Sequence, residues 1–444
     1  MRTLREAAAQ PSADTHLLIG TSQLLVHENP EEAFQLAQRA TETAPTDPSV
    51  WMFFIETGFL TGHDLEASQR LQEFRERFPT STALEAVSFP DVMQRMAAQQ
   101  QAQRERWELY RRAEAPVHVW MDVEHHPLGF DWYVRFETNR NATTWNKKLP
   151  IYACHGSRGT ASDALPLATK GILLDYTGLL LCHKLGLFPI LEQTFERIIL
   201  APSTLSLIQT ESLKTARFQV SRQTISQAVK TVLDSGVMRI LTDAPHDEAL
   251  RAFQVDHLGR TDALLFYYAK QEKGLVLVQH LTKEAIGQLE LNEELSRARV
   301  FPYEVLTAMC EVGAISKQEL ASIAVACHGQ SCREDLVQLL AKKPFLVLDI
   351  GTAEFFARHE LLEGLIRAFQ IGIPKHETDH IAYTLEEFRL RQEASEWLND
   401  LNRYLSERLN QRYFFPSTTL PDPQTGDRGQ CARVLEELIY TTRI

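Results

Sequence analysis

Two carboxylates in this sequence occupy positions where α/β proteins collect their ligands. Asp175 follows the apolar run GILL, which predicts a strand, and the carboxyl ends of parallel strands form the ligand-binding edge of such a sheet. Asp262 opens the stretch ALLFYYAKQEKG, which predicts a helix that leads into the strand LVLV. We expect a right-handed crossover to place both acids at one edge of one sheet.

The chemistry of such a pair follows from charge repulsion. Two carboxylates held together are tolerated when a divalent cation with oxygen ligands, typically Mg²⁺ or Mn²⁺, lies between them. Asp175 and Asp262 are therefore the predicted metal ligands, and the predicted reaction is metal-assisted hydrolysis of a phosphodiester. Taken alone, Asp175 is also of the residue type that commonly caps a helix or occupies a turn.

A basic run follows the first of these acids. The stretch from Ser212 to Leu233 contains four basic residues and no acid, in a chain whose formal net charge is −12. Such a run, with an aromatic residue beside it, could hold the phosphates and stack a base of single-stranded RNA. A solvated helix face is the alternative interpretation. The candidate substrate-binding residues are Lys214, Arg217 and Arg222.

These residues belong to a region in which short apolar strands alternate with helices. From Gly171 the sequence predicts the order strand, helix, strand, helix, in the segments GILL, HKLGLFPILEQTF, ERIILAP and STLSLIQTES. This alternation favours a parallel sheet with helices on both faces. The predicted fold class is therefore α plus α/β, with several domains.

The same region resembles the PIN domain, the compact α/β fold of toxin ribonucleases and of other metal-dependent nucleases. The resemblance spans about residues 170–285 and rests on GILLDYTGLLLCHKLGLFPILEQTFERIILAPSTLSLI followed by LGRTDALLFYYAKQEKGLVLV. It implies that Asp175 is the acid that ends the first strand and that Asp262 is the later acid, before an Ala-containing helix.

The family also has an acid about two helical turns after the Pro that follows the second strand, and Glu211 is the nearest carboxylate to that place. The resemblance thus implies a ribonuclease that uses Asp175, Asp262 and Glu211 as catalytic residues with Mg²⁺ or Mn²⁺. Because the acids depart from the family pattern, a non-catalytic PIN-like scaffold is the alternative.

A second copy of this layout begins near Lys343. KPFLVLDIGTAEFFARHELLEGLIRAFQIGIP repeats the order strand, acid, helix, strand, with Asp349 in the place of Asp175. A long charged helix follows, without a second TDA-like turn or a later strand. The copy is predicted either as a degenerate or truncated PIN-like unit or as two strands of a larger α/β domain.

Residues 1 to about 100 have apolar positions at helical spacing throughout. Shifting the sequence by 34 places matches Pro45 with Pro79 and Ala33 with Ala67. This period and layout resemble a tetratricopeptide (TPR) repeat over about residues 14–95, which implies stacked helix pairs that dock a protein partner. An ordinary helical bundle is the alternative.

Between these parts, alternating apolar residues in APVHVWMDVEHH, GFDWYVRFET and LPIYACHG predict a small sheet. The predicted domains are a TPR-like helical repeat (1–114), a β-rich connecting segment (115–165), a PIN-like α/β domain (166–290), a helical connector (291–342) and a second, partial PIN-like unit with a C-terminal helix (343–444).

Composition limits the classes of function. A formal net charge of −12 argues against binding nucleic acid through the whole surface, so any phosphate contact must be local. The N-terminus lacks an apolar stretch of secretion-signal length, and no uninterrupted apolar run has the length of a bilayer span. Six cysteines without a CxxC pair are too sparse for a disulfide scaffold. We therefore expect a cytoplasmic protein without a membrane segment, with single-stranded RNA as the candidate substrate.

Overall fold

The structure, a computed structural model, falls into two compact units. The first unit comprises the chain up to Gln219 and from Arg389 onward, and the second unit is the continuous segment Val220–Phe388, which is inserted into the first. The structure describes residues 2–26, 28–83, 89–112, 114–115, 117, 127–153, 170–216, 219–242, 250, 260–279, 292–324, 327, 332–411 and 414–416.

The first unit begins with five short helices. Asp14, Asn29 and Asp47 each accept a hydrogen bond from a backbone N–H of the helix that follows, as N-cap residues do. Gly58 lets two of the helices approach closely, because a Cβ at this position would lie 2.9 Å from Cβ of Ala67. The helical prediction is confirmed here, whereas the assignment to TPR repeats stays a prediction. The helices are α1 (Arg2–Ala8), α2 (Thr15–Leu25), α3 (Pro30–Thr43), α4 (Pro48–Thr61) and α5 (Asp64–Arg77).

Helices also form most of the described part of the segment that was expected to be β-rich. The predicted strand GFDWYVRFET is instead part of a helix, α7 (Leu128–Asn141), which follows α6 (Phe89–Arg111) and precedes a 3-10 turn at Trp145–Lys147. Trp132 and Phe136, four residues apart, stack with ring centroids 5.6 Å apart, a contact that helical spacing provides. The strand prediction is wrong here because the spacing of apolar residues in this segment fits both a strand and a helix. Tertiary packing selects the helix. Residues 118–126 and 154–156 of the other two predicted strands lie outside the described residues.

A three-stranded parallel sheet forms the centre of the first unit. Its strand order is β1-β2-β8, and Ile198 of the middle strand pairs with Ile172 on one side and Phe414 on the other. Helices α8, α9, α10 and the C-terminal part of α19 belong to this unit. Their bounds are β1 (Gly171–Leu173), α8 (Tyr176–Leu185), α9 (Phe188–Thr194), β2 (Arg197–Leu200), α10 (Thr204–Ala216), α19 (Lys375–Asn410) and β8 (Phe414–Pro416).

A five-stranded parallel sheet forms the centre of the second unit, with the strand order β3-β7-β6-β4-β5. The central strand β6 is buried along most of its length, with Leu346, Val347 and Leu348 fully covered. The strands are β3 (Arg239–Leu241), β4 (Leu275–Leu277), β5 (Arg299–Val300), β6 (Phe345–Leu348) and β7 (Gln370–Pro374). The helices are α11 (Val220–Asp234), α12 (Arg260–Gln271), α13 (Glu293–Ala298), α14 (Pro302–Glu311), α15 (Lys317–Ala324), α16 (Glu334–Leu340), α17 (Ile350–Arg358), α18 (Leu362–Ala368) and the start of α19.

This arrangement corrects the predicted domains. The expected α/β domain 166–290 is divided, because β1 and β2 lie in the smaller sheet while β3 and β4 lie in the larger one. The sequence of the second copy lacks later strands of its own. Its strands β6 and β7 instead share a sheet with β3, β4 and β5, which come earlier in the chain. Strands that follow one another in sequence usually pair, as β1 and β2, β4 and β5, and β6 and β7 do here, but β8, β3 and β4 also pair with the distant strands β2, β7 and β6. The segment predicted as a helical connector contains α13–α16 and the short strand β5, and the segment predicted as a long charged helix forms α19.

Candidate active site

Asp175 lies where the sequence places it, directly after β1. Its Oδ1 atom accepts a hydrogen bond of 2.6 Å from the Gly178 backbone N–H, and the Thr177 hydroxyl donates to both carboxylate oxygens at 3.2 Å. Asp175 is therefore the N-cap of α8 and remains partly exposed at the carboxyl end of β1. Asp175 is thus both a helix N-cap and an acid at the end of a strand, the two interpretations that its sequence position allows.

Glu211 lies in α10 of the same unit and is buried, with 6% of its surface exposed. One of its carboxylate oxygens, Oε2, accepts a hydrogen bond of 2.8 Å from the backbone N–H of Gly129. Gly129 belongs to the first turn of α7. A buried carboxylate needs such donors because water no longer solvates its charge.

Asp262 belongs to the other unit. It is the third residue of α12, the helix that precedes β4 of the five-stranded sheet. The expectation that Asp175 and Asp262 share the edge of one sheet is therefore wrong, because their strands belong to different sheets. The prediction failed because it assumed that residues 166–290 form a single domain.

The basic run is divided in the same way. Lys214 is exposed near the end of α10 in the first unit, and Arg222 is exposed in α11 of the second unit. Arg217 lies outside the described residues. The three predicted substrate-binding residues thus do not lie on one helix.

Two further acids meet around the first turn of α17 in the second unit. Asp349, at the end of β6, accepts a hydrogen bond of 2.7 Å from the Thr352 backbone N–H as the N-cap of α17. Glu377, in the first turn of α19, accepts one of 3.2 Å from the Ile350 N–H of the same turn. The carboxylates of Asp349 and Glu377 are thus bound by neighbouring groups of a single helix.

The adjacent strand β4 reaches the same place. The backbone N–H of Gln279, just beyond β4, donates a hydrogen bond of 3.1 Å to the hydroxyl of Thr352, a fully buried residue of α17. Because a helix that leads into a parallel strand runs antiparallel to it, the N-terminus of α12 lies at the carboxyl end of the sheet. This orientation directs the first turn of α12, which contains Asp262, toward the edge of the sheet at which Asp349 and Glu377 lie.

Glu377 was not predicted as a site residue. In the PIN pattern an acid lies about two helical turns after a Pro, whereas only two residues separate Glu377 from Pro374. The motif Pro-Lys-His-Glu directly after an apolar strand was the available signal. The side chain is buried and its Oε1 atom lies 3.1 Å from Nε2 of the more exposed His376.

The acids as placed do not form a closed metal cage. Within the described residues, no group of three or more His, Cys, Asp or Glu side chains is close enough together to hold a metal ion. The donor set at the edge of the second unit consists of carboxylate oxygens, which are the ligands that Mg²⁺ and Mn²⁺ prefer.

Comparison with known proteins gives one match. The family model described as HTH_upstream_double_PIN matches residues 89–158, about a sixth of the chain. The described part of this stretch contains α6 and α7. Neither the search of curated proteins nor the search of solved structures gave a significant match.

No described helix combines the length and apolar character needed to cross a membrane. The chain is mostly helical with small parallel sheets, and over residues 89–158 it is similar to a PIN-related family.

Proposed function

We propose that this chain is a PIN-related, metal-dependent ribonuclease whose reaction centre is the carboxyl edge of the five-stranded sheet. The observation that carries the proposal is that Asp349 and Glu377 both bind the first turn of α17, after β6 and β7, while Asp262 lies in the first turn of the helix that leads into the adjacent parallel strand β4. The match to a family described as lying upstream of a double PIN supports the same assignment, because this chain also contains two strand-end Asp units.

In this proposal, Asp349, Glu377 and Asp262 hold the Mg²⁺ or Mn²⁺ ion. The ion, when bound, supplies a Lewis acid and a water of lowered pKa for attack on phosphorus. The carboxylates supply the negative charge that attracts the ion. The apolar strands behind them exclude water from that side of the site. The proposed substrate is single-stranded RNA, and the proposed role of the helices α1–α5 is to dock a protein partner.

The direct test is cleavage of single-stranded RNA in the presence of Mn²⁺ by the full chain and by Asp349→Asn, Asp262→Asn and Glu377→Gln. Asn caps a helix about as well as Asp, so Asp349→Asn removes the charge and retains the cap. We expect each variant to lose at least about 10- to 100-fold in cleavage rate, since even the loss of a group that only orients a metal ligand typically costs this much.

Asp175→Asn is the matched control, because it makes the same change at the corresponding cap of the first unit. The control should retain the wild-type rate. Equal cleavage by wild type and all four variants would identify a contaminating nuclease and would contradict the proposal.

A non-catalytic scaffold is the second candidate function. It is favoured by the backbone N–H groups that already bind Glu211, Glu377 and Asp349, and by the lack of a three-ligand cluster within the described residues. Retention of protein binding together with no Mn²⁺ binding would favour this candidate.

A further inference from the structure

Trp145 is the most exposed large apolar side chain in the described part of the chain, with 84% of its surface exposed. It opens the 3-10 turn Trp145–Lys147, which follows α7 in the first unit. Trp51 and Trp132, by contrast, are buried. A single exposed apolar residue is common on protein surfaces. The surroundings of the Trp145 ring therefore decide whether it has a use.

The chain around Trp145 forms a defined loop. The side-chain amide of Asn139, near the end of α7, accepts a hydrogen bond of 2.6 Å from the Leu149 N–H and donates one of 2.8 Å to the Leu149 carbonyl. Within the loop, the Lys148 N–H donates a hydrogen bond of 3.0 Å to the Trp145 carbonyl. The loop 140–148 is thus closed at its base and turned at its tip. Because the loop is already ordered, a ligand that binds the ring loses little affinity to ordering the backbone.

The same loop is basic in an acidic chain. Residues 138–150 contain Arg140, Lys147 and Lys148 and no Asp or Glu, whereas the whole chain has a formal net charge of −12. All three basic side chains are exposed. Nζ of Lys148 lies 5.3 Å from the centroid of the Trp145 ring. The loop therefore presents an aromatic plane and positive charges side by side, which complements a ligand with a flat ring and an adjoining anion.

We propose that the loop 140–148 binds single-stranded RNA, with one base stacked on Trp145 and adjoining phosphates bound by Lys147 and Lys148. Aromatic rings that stack bases and cations that follow the backbone are the two contacts by which proteins bind single strands. A duplex fits less well, because its bases already stack on one another. This inference rests on the proposed function for the choice of RNA, and it adds a binding surface in the first unit to a reaction centre in the second.

An anionic membrane is a poorer match to the loop. Besides Trp145, residues 141–148 are only Asn, Ala, Thr and Lys. A segment that binds a membrane surface inserts a broad apolar face into the lipid, and these residues do not provide one.

The test is fluorescence anisotropy of a short labelled oligouridylate titrated with the full chain in EDTA, which prevents metal-dependent cleavage. Trp145→Ala should weaken binding about 5- to 100-fold, the range that corresponds to the loss of one stacked base. Trp145→Phe retains a ring and should recover most of this loss. The double variant Lys147→Gln/Lys148→Gln should reduce the slope of log Kd against log salt concentration by about 1.4, since each phosphate contact on a single strand contributes about 0.7.

Two exposed residues elsewhere in the chain provide matched controls. Leu65 is 76% exposed, and the Arg367 side chain is 76% exposed. Leu65→Ala and Arg367→Gln should bind the oligonucleotide as wild type does. Equal affinities of wild type and Trp145→Ala, or equally tight binding of poly-glutamate and oligouridylate by wild type, would overturn the inference. Sedimentation with phosphatidylserine vesicles that Trp145→Ala abolishes, with RNA affinity unchanged, would assign the loop to a membrane instead.

Binding at the loop and cleavage at the second unit are measured separately. RNA binding that depends on Trp145, without cleavage in Mn²⁺, would support the inference and overturn the proposed function. Cleavage that depends on Asp349, with an RNA affinity that does not depend on Trp145, would overturn the inference and leave the proposed function intact.

Discussion

Asp175 and Asp349 occupy the same position in the two units of this chain. Each follows a parallel strand, each N-caps the next helix, and each accepts a hydrogen bond from the backbone N–H three residues later. The sheets that carry them differ in size: the first has three strands and the second has five.

The shared cap predicts a matched pair of stability changes. Asp175→Ala and Asp349→Ala should each cost about 1 kcal/mol of unfolding free energy, because each leaves helix N–H groups without an acceptor. Urea denaturation followed by hydrogen exchange should locate the first loss in the first unit and the second loss in the second unit. Losses spread equally over both units in both variants would contradict the division described here.

Glu211 should contribute to stability more than a surface acid does. Glu211→Ala leaves the Gly129 N–H buried without its acceptor, and the expected cost is about 1–3 kcal/mol. Glu196→Ala is the control, since this residue is exposed and forms an ion pair with the exposed Lys170. The measurement is urea denaturation at pH 7, and a loss no larger than that of the control would show that the contact with Gly129 contributes little.

The Lys184–Glu137 pair predicts a coupling between α8 and α7. Lys184→Met removes the nearer cation of a largely covered Glu137 carboxylate, which keeps only the longer ion pair of 3.7 Å to the exposed Arg140, so we expect a cost of up to about 3 kcal/mol. The double variant Lys184→Met/Glu137→Gln should recover part of this loss. Lys230→Met, at an exposed pair with Asp234, should cost less than about 0.5 kcal/mol. Additive losses in the double variant would argue against the coupling.

His183 predicts a pH dependence. Burial lowers the pKa of His183 below its ordinary value of 6.5, an effect that its hydrogen bond to the Trp397 backbone only partly offsets. The unfolded chain therefore binds more protons than the folded chain below about pH 6.5, so this residue's contribution to stability is present above that pH and falls as the pH falls.

The stability difference between wild type and His183→Gln should accordingly shrink from pH 7.5 to pH 5.5. The limit for one proton is about 1.4 kcal/mol per pH unit. The exposed His16→Gln is the matched control for this series of thermal unfolding measurements. A stability difference that stays constant with pH would mean that His183 has the same pKa in the folded and unfolded states.

The local features of the fold were accessible from the sequence. A short apolar strand followed by Asp and a helix was predicted twice, and both Asp175 and Asp349 occupy that position. These predictions succeed because strand, cap and helix start depend on residues that are neighbours in the chain.

The partners of each strand were not accessible in this way. Strand β2 pairs with β8 and strand β7 pairs with β3, although each partner is distant in sequence. Because all these strands are short, apolar and parallel, their sequences do not distinguish one partner from another. The pairing of Asp262 with Asp175 failed for this reason, since Asp262 belongs to the helix that precedes β4 of the five-stranded sheet.

Helix α7 shows a second limit. Its sequence alternates apolar and polar residues closely enough to predict a strand, but Trp132 and Tyr133 are both buried, which a half-exposed strand would not allow. The burial arises from Trp397, which is contributed by a helix more than 250 residues away and has no local signal.

The most direct test of the proposed ion site in the second unit is anomalous diffraction from crystals of the full chain soaked in Mn²⁺. We expect an anomalous peak at the carboxyl edge of the five-stranded sheet, contacted by Asp349 and Glu377, that disappears in Asp349→Asn. A peak between Asp175 and Glu211 with none at the second unit, or no peak at either edge, would contradict it.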